Sequence, residues 1–256
     1  MSAGVALVTG AAGGIGAAVT RLLAECGDTV VAVDADRARL AGLVASLRAD
    51  GLAVHGRHAD VTRAAEVTAL VDAVEESEGP IERVVNAAGV LRIAQALSLS
   101  VGDWSDTLAV NATGVFHVSR TVVDRMVTRR RGALVTVASN AAGTARAGMA
   151  AYAASKAAAV AFTKCLGLEV APYGVRCNVV APGSTDTPML HGMHPAGAAA
   201  DASVAGDPGA YRVGIPLGKV AQPADVALAV RFLLSEEAGH ITLHNLTVDG
   251  GATLGV

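Results

Sequence analysis

Hydrophobic positions along this chain fall in short, nearly unbroken runs. VALVTG (5–10), TVVAVD (29–34), RVVNAAG (83–89), ALVTVAS (133–139), RCNVVAPG (176–183) and LTVDGG (246–251) are rich in valine and end in small or polar residues. Such runs predict strands covered on both faces. AVHGRHADV (53–61) is a weaker candidate for a seventh strand. Between the runs, segments 14–26, 36–49, 63–78, 104–129, 151–171 and 223–235 carry apolar residues at helical spacing. The β-α alternation predicts an α/β fold with a parallel sheet and helices on both of its faces. No internal repeat or linker-like shift breaks the pattern, so residues 1–256 are expected to form one domain. The rhythm fails once, at HGMHPAGAAADASVAGDPGAYR (191–212). A long aperiodic segment after the sixth strand falls on the carboxyl edge of the sheet, where open α/β sheets bind ligands. It is expected to form a substrate lid over about 190–212, the alternative being an inert insertion.

Composition sharpens this picture by exclusion. The chain is 52% hydrophobic with a mean hydropathy of +0.46. Yet no run of about 18 uncharged apolar residues appears, so no transmembrane helix is expected. The net charge of −3 gives no reason to expect a nucleic-acid or membrane surface. Cys26, Cys165 and Cys177 are odd in number and lack CxxC spacing, which argues against a disulfide framework or zinc site and predicts buried free thiols, with no metal. The N-terminus enters an apolar strand by Val5 without a preceding basic segment, which points to the cytoplasm.

Candidate chemistry begins directly after the first strand. In TGAAGGIG, Gly10, Gly13, Gly14, Ile15 and Gly16 stand between a strand and a helix. Glycines there allow a tight turn and let a pyrophosphate approach the backbone at a helix N-terminus; the alternative is a purely structural turn. Asp34 ends the second strand, where a carboxylate can accept hydrogen bonds from an adenosine ribose and would repel a 2′-phosphate. NAD is therefore expected over NADP, with Arg37 the nearby cation that argues the other way. Asp60 and Val61 end the third strand, where they can meet the adenine. Farther on, Tyr152 and Lys156 share a helix face at i and i+4. A neighbouring ammonium and a cationic nicotinamide would both lower the tyrosine from its usual pKa of about 10. Ser139, at the end of the fifth strand, can hydrogen-bond the same substrate oxygen.

Taken together, TGAAGGIG, NAAG (86–89), Asn111, Ser139, Tyr152-x-x-x-Lys156 and PGSTDT (182–187) resemble the short-chain dehydrogenase/reductase family over essentially the whole chain. The resemblance implies a single-domain Rossmann fold with a doubly wound, parallel seven-stranded sheet. It implies that Tyr152 is the general acid/base, Ser139 orients the substrate oxygen, and Lys156 binds the nicotinamide ribose and lowers the tyrosine pKa. Asn111 would support a water linking Lys156 to solvent. Asn86, Ala87 and Gly89, together with Pro182 and Gly183, would line the cofactor, with Thr187 near its nicotinamide end. A homotetramer is expected by the same analogy.

Within that family, NAAGVLR (86–92), the stretch 135–158 and HITLHNLTVDGGATLGV (240–256) are similar to the branch that oxidises 2,3-dihydro-2,3-dihydroxybenzoate in catechol siderophore pathways. A small carboxylate substrate follows, and Arg92 and Arg146 are candidates to hold it, because a guanidinium fork matches a carboxylate. The alternative for each is a solvated arginine or an intrachain ion pair. Met149, Met189 and Leu190 would supply apolar walls or core packing, and His191 and His194 are titratable groups in the expected lid. Asn140 stands where an acidic residue is expected in this branch. An amide there keeps open a substrate bearing an amine, 2,3-dihydro-3-hydroxyanthranilate. Two further readings are a 3-oxoacyl thioester reductase using NADPH, against which Asp34 argues, and a silent dinucleotide sensor, which would not be expected to keep both Tyr152 and Lys156.

Overall fold

The computed structural model describes residues 4–193, 197 and 199–255. Seven strands, β1 (Val5–Thr9), β2 (Thr29–Asp34), β3 (Val54–His58), β4 (Ile81–Asn86), β5 (Gly132–Val137), β6 (Val175–Pro182) and β7 (Asn245–Val248), form one sheet in the order β3-β2-β1-β4-β5-β6-β7. All neighbours pair in parallel. This is the doubly wound arrangement expected from the alternation of runs. The faint pattern of 53–61 has a physical reason: β3 is an edge strand, and only Val54 in it is fully buried.

Successive side chains of the central strands enter opposite layers. Ala6, Val8, Val30 and Ala32 pack under α1 (Gly14–Glu25), α2 (Arg37–Ala49) and α9 (Pro223–Leu234). Leu7, Val31, Val33 and Val84 pack under α3 (Ala64–Ser77) and α5 (Gly114–Arg129). Burial on both faces accounts for the apolar runs and the high hydropathy without a membrane. No helix among the described residues is long and apolar enough to cross one. Between β1 and β4 the chain order reverses direction across the sheet, and the carboxyl ends of these strands open a crevice.

Several expectations change. The single helix expected over 104–129 is α4 (Val101–Leu108), a π-helical turn at Ala109–Thr113 and α5. The apolar spacing of 104–129 and 151–171 offers Val115, Val118, Phe162 and Leu166 for packing between subunits, but Val115 and Val118 are buried within the chain and Leu166 packs against the same core cluster as Val118. The large apolar side chains turned outward are Phe116 on α5 and Leu168 on α6 (Ala150–Val170), with Val101 and Trp104 on α4. The stretch 191–212 is not wholly irregular, since Ala199–Ala205 form α8 and bury Ala199 and Ser203; α7 (Pro188–His191) precedes it. His194 lies outside the described residues. Of the thiols only Cys177 is buried, and burial pushes it up to about 12; Cys165 is exposed on the outer side of α6.

Candidate active site

A cleft of about 520 Å³ lies over the β1–β4 switch point. The turn after β1 forms its floor, and this turn tolerates only glycine where the chain crosses itself: a Cβ on Gly16 would stand 2.1 Å from the Gly10 carbonyl oxygen. Gly13, Gly14 and Ile15 line the cleft beside them. Asp34 is anchored at its rim, accepting hydrogen bonds from Ala12 N–H (3.0 Å) and Asp36 N–H (2.9 Å). Arg37 is exposed on the first turn of α2 and does not line the cleft. Arg39 does, with Nη2 bonded to the Ala12 carbonyl at 2.8 Å. Asp60 and Val61 form the far wall. Burial pushes the Asp60 carboxyl up, but hydrogen bonds from Thr62 and the nearby Arg63 outweigh it and hold the group below the usual carboxylate value.

Ala87 and Gly89 line the cleft, whereas Asn86 does not. Its buried amide instead donates to Ser119 Oγ (2.8 Å) and Thr136 Oγ1 (3.3 Å), tying β4 to α5 and β5. Strand direction explains the difference: Asn86 is the last residue of β4, and its side chain points into the layer of helices rather than over the strand end. Pro182 and Gly183 lie on the adjoining cavity, beyond Thr187, and Thr187 borders both spaces.

That second cavity, about 310 Å³, opens from the cleft at Ile15, Thr187 and Met189. Ser139, Asn140, Arg146, Met149, Tyr152 and Leu190 all face it. Ser139 caps the 3₁₀ turn Asn140–Ala142, accepting from Ala141 N–H at 3.1 Å. One turn into α6, Tyr152 and Lys156 rise side by side, with Lys156 Nζ 5.8 Å from the centre of the tyrosine ring. Lys156 is 5% exposed and donates to the Val137 carbonyl at 3.0 Å; burial alone pulls its ammonium down to about 8. The lowered tyrosine value expected from the sequence is not a property of the protein alone. Burial pushes the Tyr152 phenol up, and the hydrogen bond with Ser139 pulls the other way without cancelling it. Gly89 fits between Lys156 and Asn111, where a Cβ would lie 3.3 Å from Nζ and 3.4 Å from Asn111 Oδ1. Asn111 hangs from the π-helical turn and is saturated, accepting from Val90 N–H (2.8 Å) and donating to the Val90 carbonyl (2.9 Å) and Ser155 Oγ (3.0 Å).

The two arginines part company. After β4, Leu91 and Ile93 line the cavity while Arg92 between them lines the cofactor cleft and pairs with Asp103 at 3.5 Å. Arg92 is therefore not a substrate-cavity residue. Arg146 is: burial lowers its pKa, as does the neighbouring Arg212, while Asp249 raises it. Asn140 has a definite orientation, because Nδ2 donates to Asp249 Oδ2 at 3.2 Å. A carboxylate can only accept, so the amide NH₂ must face it and the Asn140 carbonyl oxygen is left for the cavity. Burial pushes Asp249 up, but hydrogen bonds from Thr253, Asn140 and Gly251 hold it below its ordinary value. Arg39, Arg212 and Asp249 were not singled out in the sequence. Asp249 follows the last strand in TVDGG, the position common to carboxyl-edge site residues, and that was the available signal.

Residues 4–196 match the family model described as short chain dehydrogenase. The chain is 51% identical over 252 residues to the 2,3-dihydro-2,3-dihydroxybenzoate dehydrogenase of Bacillus subtilis, covering 98% of this chain and 97% of the relative. It is 40% identical over 248 residues to the Escherichia coli enzyme of the same name, covering 97% and 96%. Among solved structures it resembles a gluconate 5-dehydrogenase from Burkholderia cenocepacia in complex with NADP and tartrate, with TM-score 0.90, 32% identity, and coverage of 98% and 96%.

Proposed function

Since this chain belongs to the short-chain dehydrogenase family and is an oxidoreductase acting on a CH–OH group with a nicotinamide dinucleotide, we propose that it oxidises 2,3-dihydro-2,3-dihydroxybenzoate to 2,3-dihydroxybenzoate with NAD⁺. The observation that carries this reading is the sharing of one small cavity by the Ser139–Tyr152 pair and the guanidinium of Arg146, which has no ion-pair partner within 4.0 Å among the described residues. Such a cavity suits a compact ring that presents a hydroxyl to one end and a carboxylate to the other. The glycine crossing at Gly10 and Gly16, the narrow gap at Gly89 and the carboxylate of Asp34 fit a dinucleotide without a 2′-phosphate.

When bound, the nicotinamide ring supplies the hydride acceptor. The chain's own residues handle the proton. Ser139 holds the alcohol oxygen, and Tyr152 as phenolate takes its proton while the carbon loses hydride and becomes a carbonyl. Lys156, still largely protonated at neutral pH, favours that phenolate, and Asn111 fixes the loop at Val90 beside it. The cyclohexadienone then tautomerises to the aromatic ring, which makes the oxidation effectively irreversible. We place this activity in siderophore or related secondary metabolism in the cytoplasm, carried by a homotetramer, with residues 190–212 as lid.

A second reading draws on Asn140. Its carbonyl oxygen accepts equally from a hydroxyl or an amine, so 2,3-dihydro-3-hydroxyanthranilate is the competing substrate. Incubation with NAD⁺ and each acid separately, scored for NADH and for 2,3-dihydroxybenzoate or 3-hydroxyanthranilate, decides between them. Turnover of the dihydroxy acid is expected. Turnover of neither acid, together with reduction of a 3-oxoacyl thioester by NADPH, would overturn the reading.

A further inference from the structure

The cavity holds a second guanidinium, that of Arg212, which comes from a different element. Residues 206–214 form a closed loop whose two ends are glycines at positive φ, Gly206 (+76°) and Gly214 (+84°). A Cβ on Gly206 would stand 2.4 Å from Gly214 N, and one on Gly214 would stand 2.3 Å from the Val204 carbonyl oxygen, so the neck closes only with glycine at both positions. Inside the neck, Asp207 and Arg212 exchange backbone hydrogen bonds of 2.9 Å in both directions. The Asp207 carboxylate caps the turn between them, accepting from Gly209 N–H and Ala210 N–H. This arrangement fixes the backbone of Arg212 beside the cavity that Arg146 also lines.

Most arginines of the chain are engaged elsewhere. Arg21, Arg57, Arg63, Arg83, Arg92 and Arg125 sit in ion pairs, and others bond backbone carbonyls. Arg146 and Arg212 have neither an ion pair within 4.0 Å nor a side-chain hydrogen bond among the described residues, yet they face the same cavity closely enough to repel each other. The acidic groups nearby are committed: Asp207 to its turn, and Asp249 to Thr253, Gly251 and Asn140. Asp249 offsets part of the Arg146 charge, but two guanidinium groups lining one cavity, with donors not committed to the protein, favour an anion bound between them.

We propose that Arg212 is a substrate-binding residue that closes a two-arginine clamp with Arg146 on the carboxylate of an aromatic acid. The proposal rests on the reading given above and deepens it. Its test uses binding, so that it stands apart from turnover. The full-length protein is loaded with NADH, and 2,3-dihydroxybenzoate and its uncharged counterpart 2,3-dihydroxybenzamide are titrated in by calorimetry. The intact protein should bind the acid at least tenfold more tightly than the amide. Arg212→Gln should lose about tenfold for the acid and little for the amide, with Arg212→Lys intermediate. Arg146→Ala combined with Arg212→Gln should lose less than the product of the single losses, because the two share one group. Equal binding of acid and amide by the intact protein, or an Arg212→Gln variant that binds the acid normally or loses both ligands alike, overturns the clamp. If the clamp signature appears and neither dihydro acid is oxidised, the turnover reading fails and the clamp stands.

Discussion

Lys156 is a charge kept where water is not, and that has a measurable cost. An ammonium held at about 8 instead of 10.5 carries a penalty of about 3 kcal/mol while it remains protonated. The hydrogen bond to the Val137 carbonyl returns only about 1 kcal/mol. Lys156→Met should therefore abolish turnover and raise the melting temperature by roughly 2–8 °C, as checked by calorimetry. Because the folded value lies below the unfolded one, the unfolded chain holds more protons between about pH 8 and 10.5, and this group's contribution to stability rises with pH across that window. The advantage of the variant should shrink from pH 7 to pH 10; an advantage independent of pH would contradict the burial argument. Asn140 sets the opposite case. Asn140→Asp would put a second carboxylate about 3.2 Å from Asp249, and two such groups cannot both ionise at ordinary cost. One must hold a proton, so kcat/KM of the variant should fall as pH rises past the carboxylate range, and the parent protein should show no such step. Superposable pH profiles would show that the Asn140–Asp249 contact does not govern the site.

At the scale of elements, the break between α4 and α5 matters most. The π-helical turn Ala109–Thr113 widens the backbone and lets Asn111 reach Val90 and Ser155 together. Asn111→Ala leaves the Val90 N–H and carbonyl without their partner in a closed interior, at about 1–3 kcal/mol for each group. A loss of about 2–5 kcal/mol in urea unfolding is expected, with a weaker response if water replaces the amide. None of this turn was legible beforehand, since a π-turn adds one residue to a pattern that still reads as helical. The side of the chain on which Arg92 lies was illegible for a related reason: a step of one residue decides between the cleft, which Arg92 lines, and the cavity, which Leu91 and Ile93 line. By contrast, the sheet, most of its helices, the glycine turn and the spacing of Ser139, Tyr152 and Lys156 could be read directly. The glycine turn and Ser139 follow strand ends, and Tyr152 and Lys156 share one turn of α6, so short-range pattern is enough to place them.

For the whole molecule, the limit of sequence reading was distance along the chain. Asn140 meets Asp249 across 109 residues, and Arg146 and Arg212, 66 residues apart, line one cavity, neighbours that exist only once the sheet order is known. The same holds for the outer surface. Periodicity alone points to Val115 and Val118 for subunit contacts, but both are buried within the chain, Val118 in the core beneath the sheet. What α6 leaves outside is a stripe at helical spacing: Ala158, Ala161, Cys165 and Leu168, all exposed, the last at 67%. Phe116 lies near it, 39% exposed and stacked edge-on against Phe162 at 5.6 Å. Small residues with a leucine at one end let a second helix approach closely, and an apolar stripe of this kind is costly to leave in water. If the proposed homotetramer uses this face, Leu168→Glu buries an unpaired carboxylate in each copy of the contact. Light scattering at micromolar protein should then show a species smaller than four chains. The far-ultraviolet spectrum should be unchanged, because Leu168 makes no part of the core. A variant that keeps the parent mass would place the subunit contact on another face of the molecule.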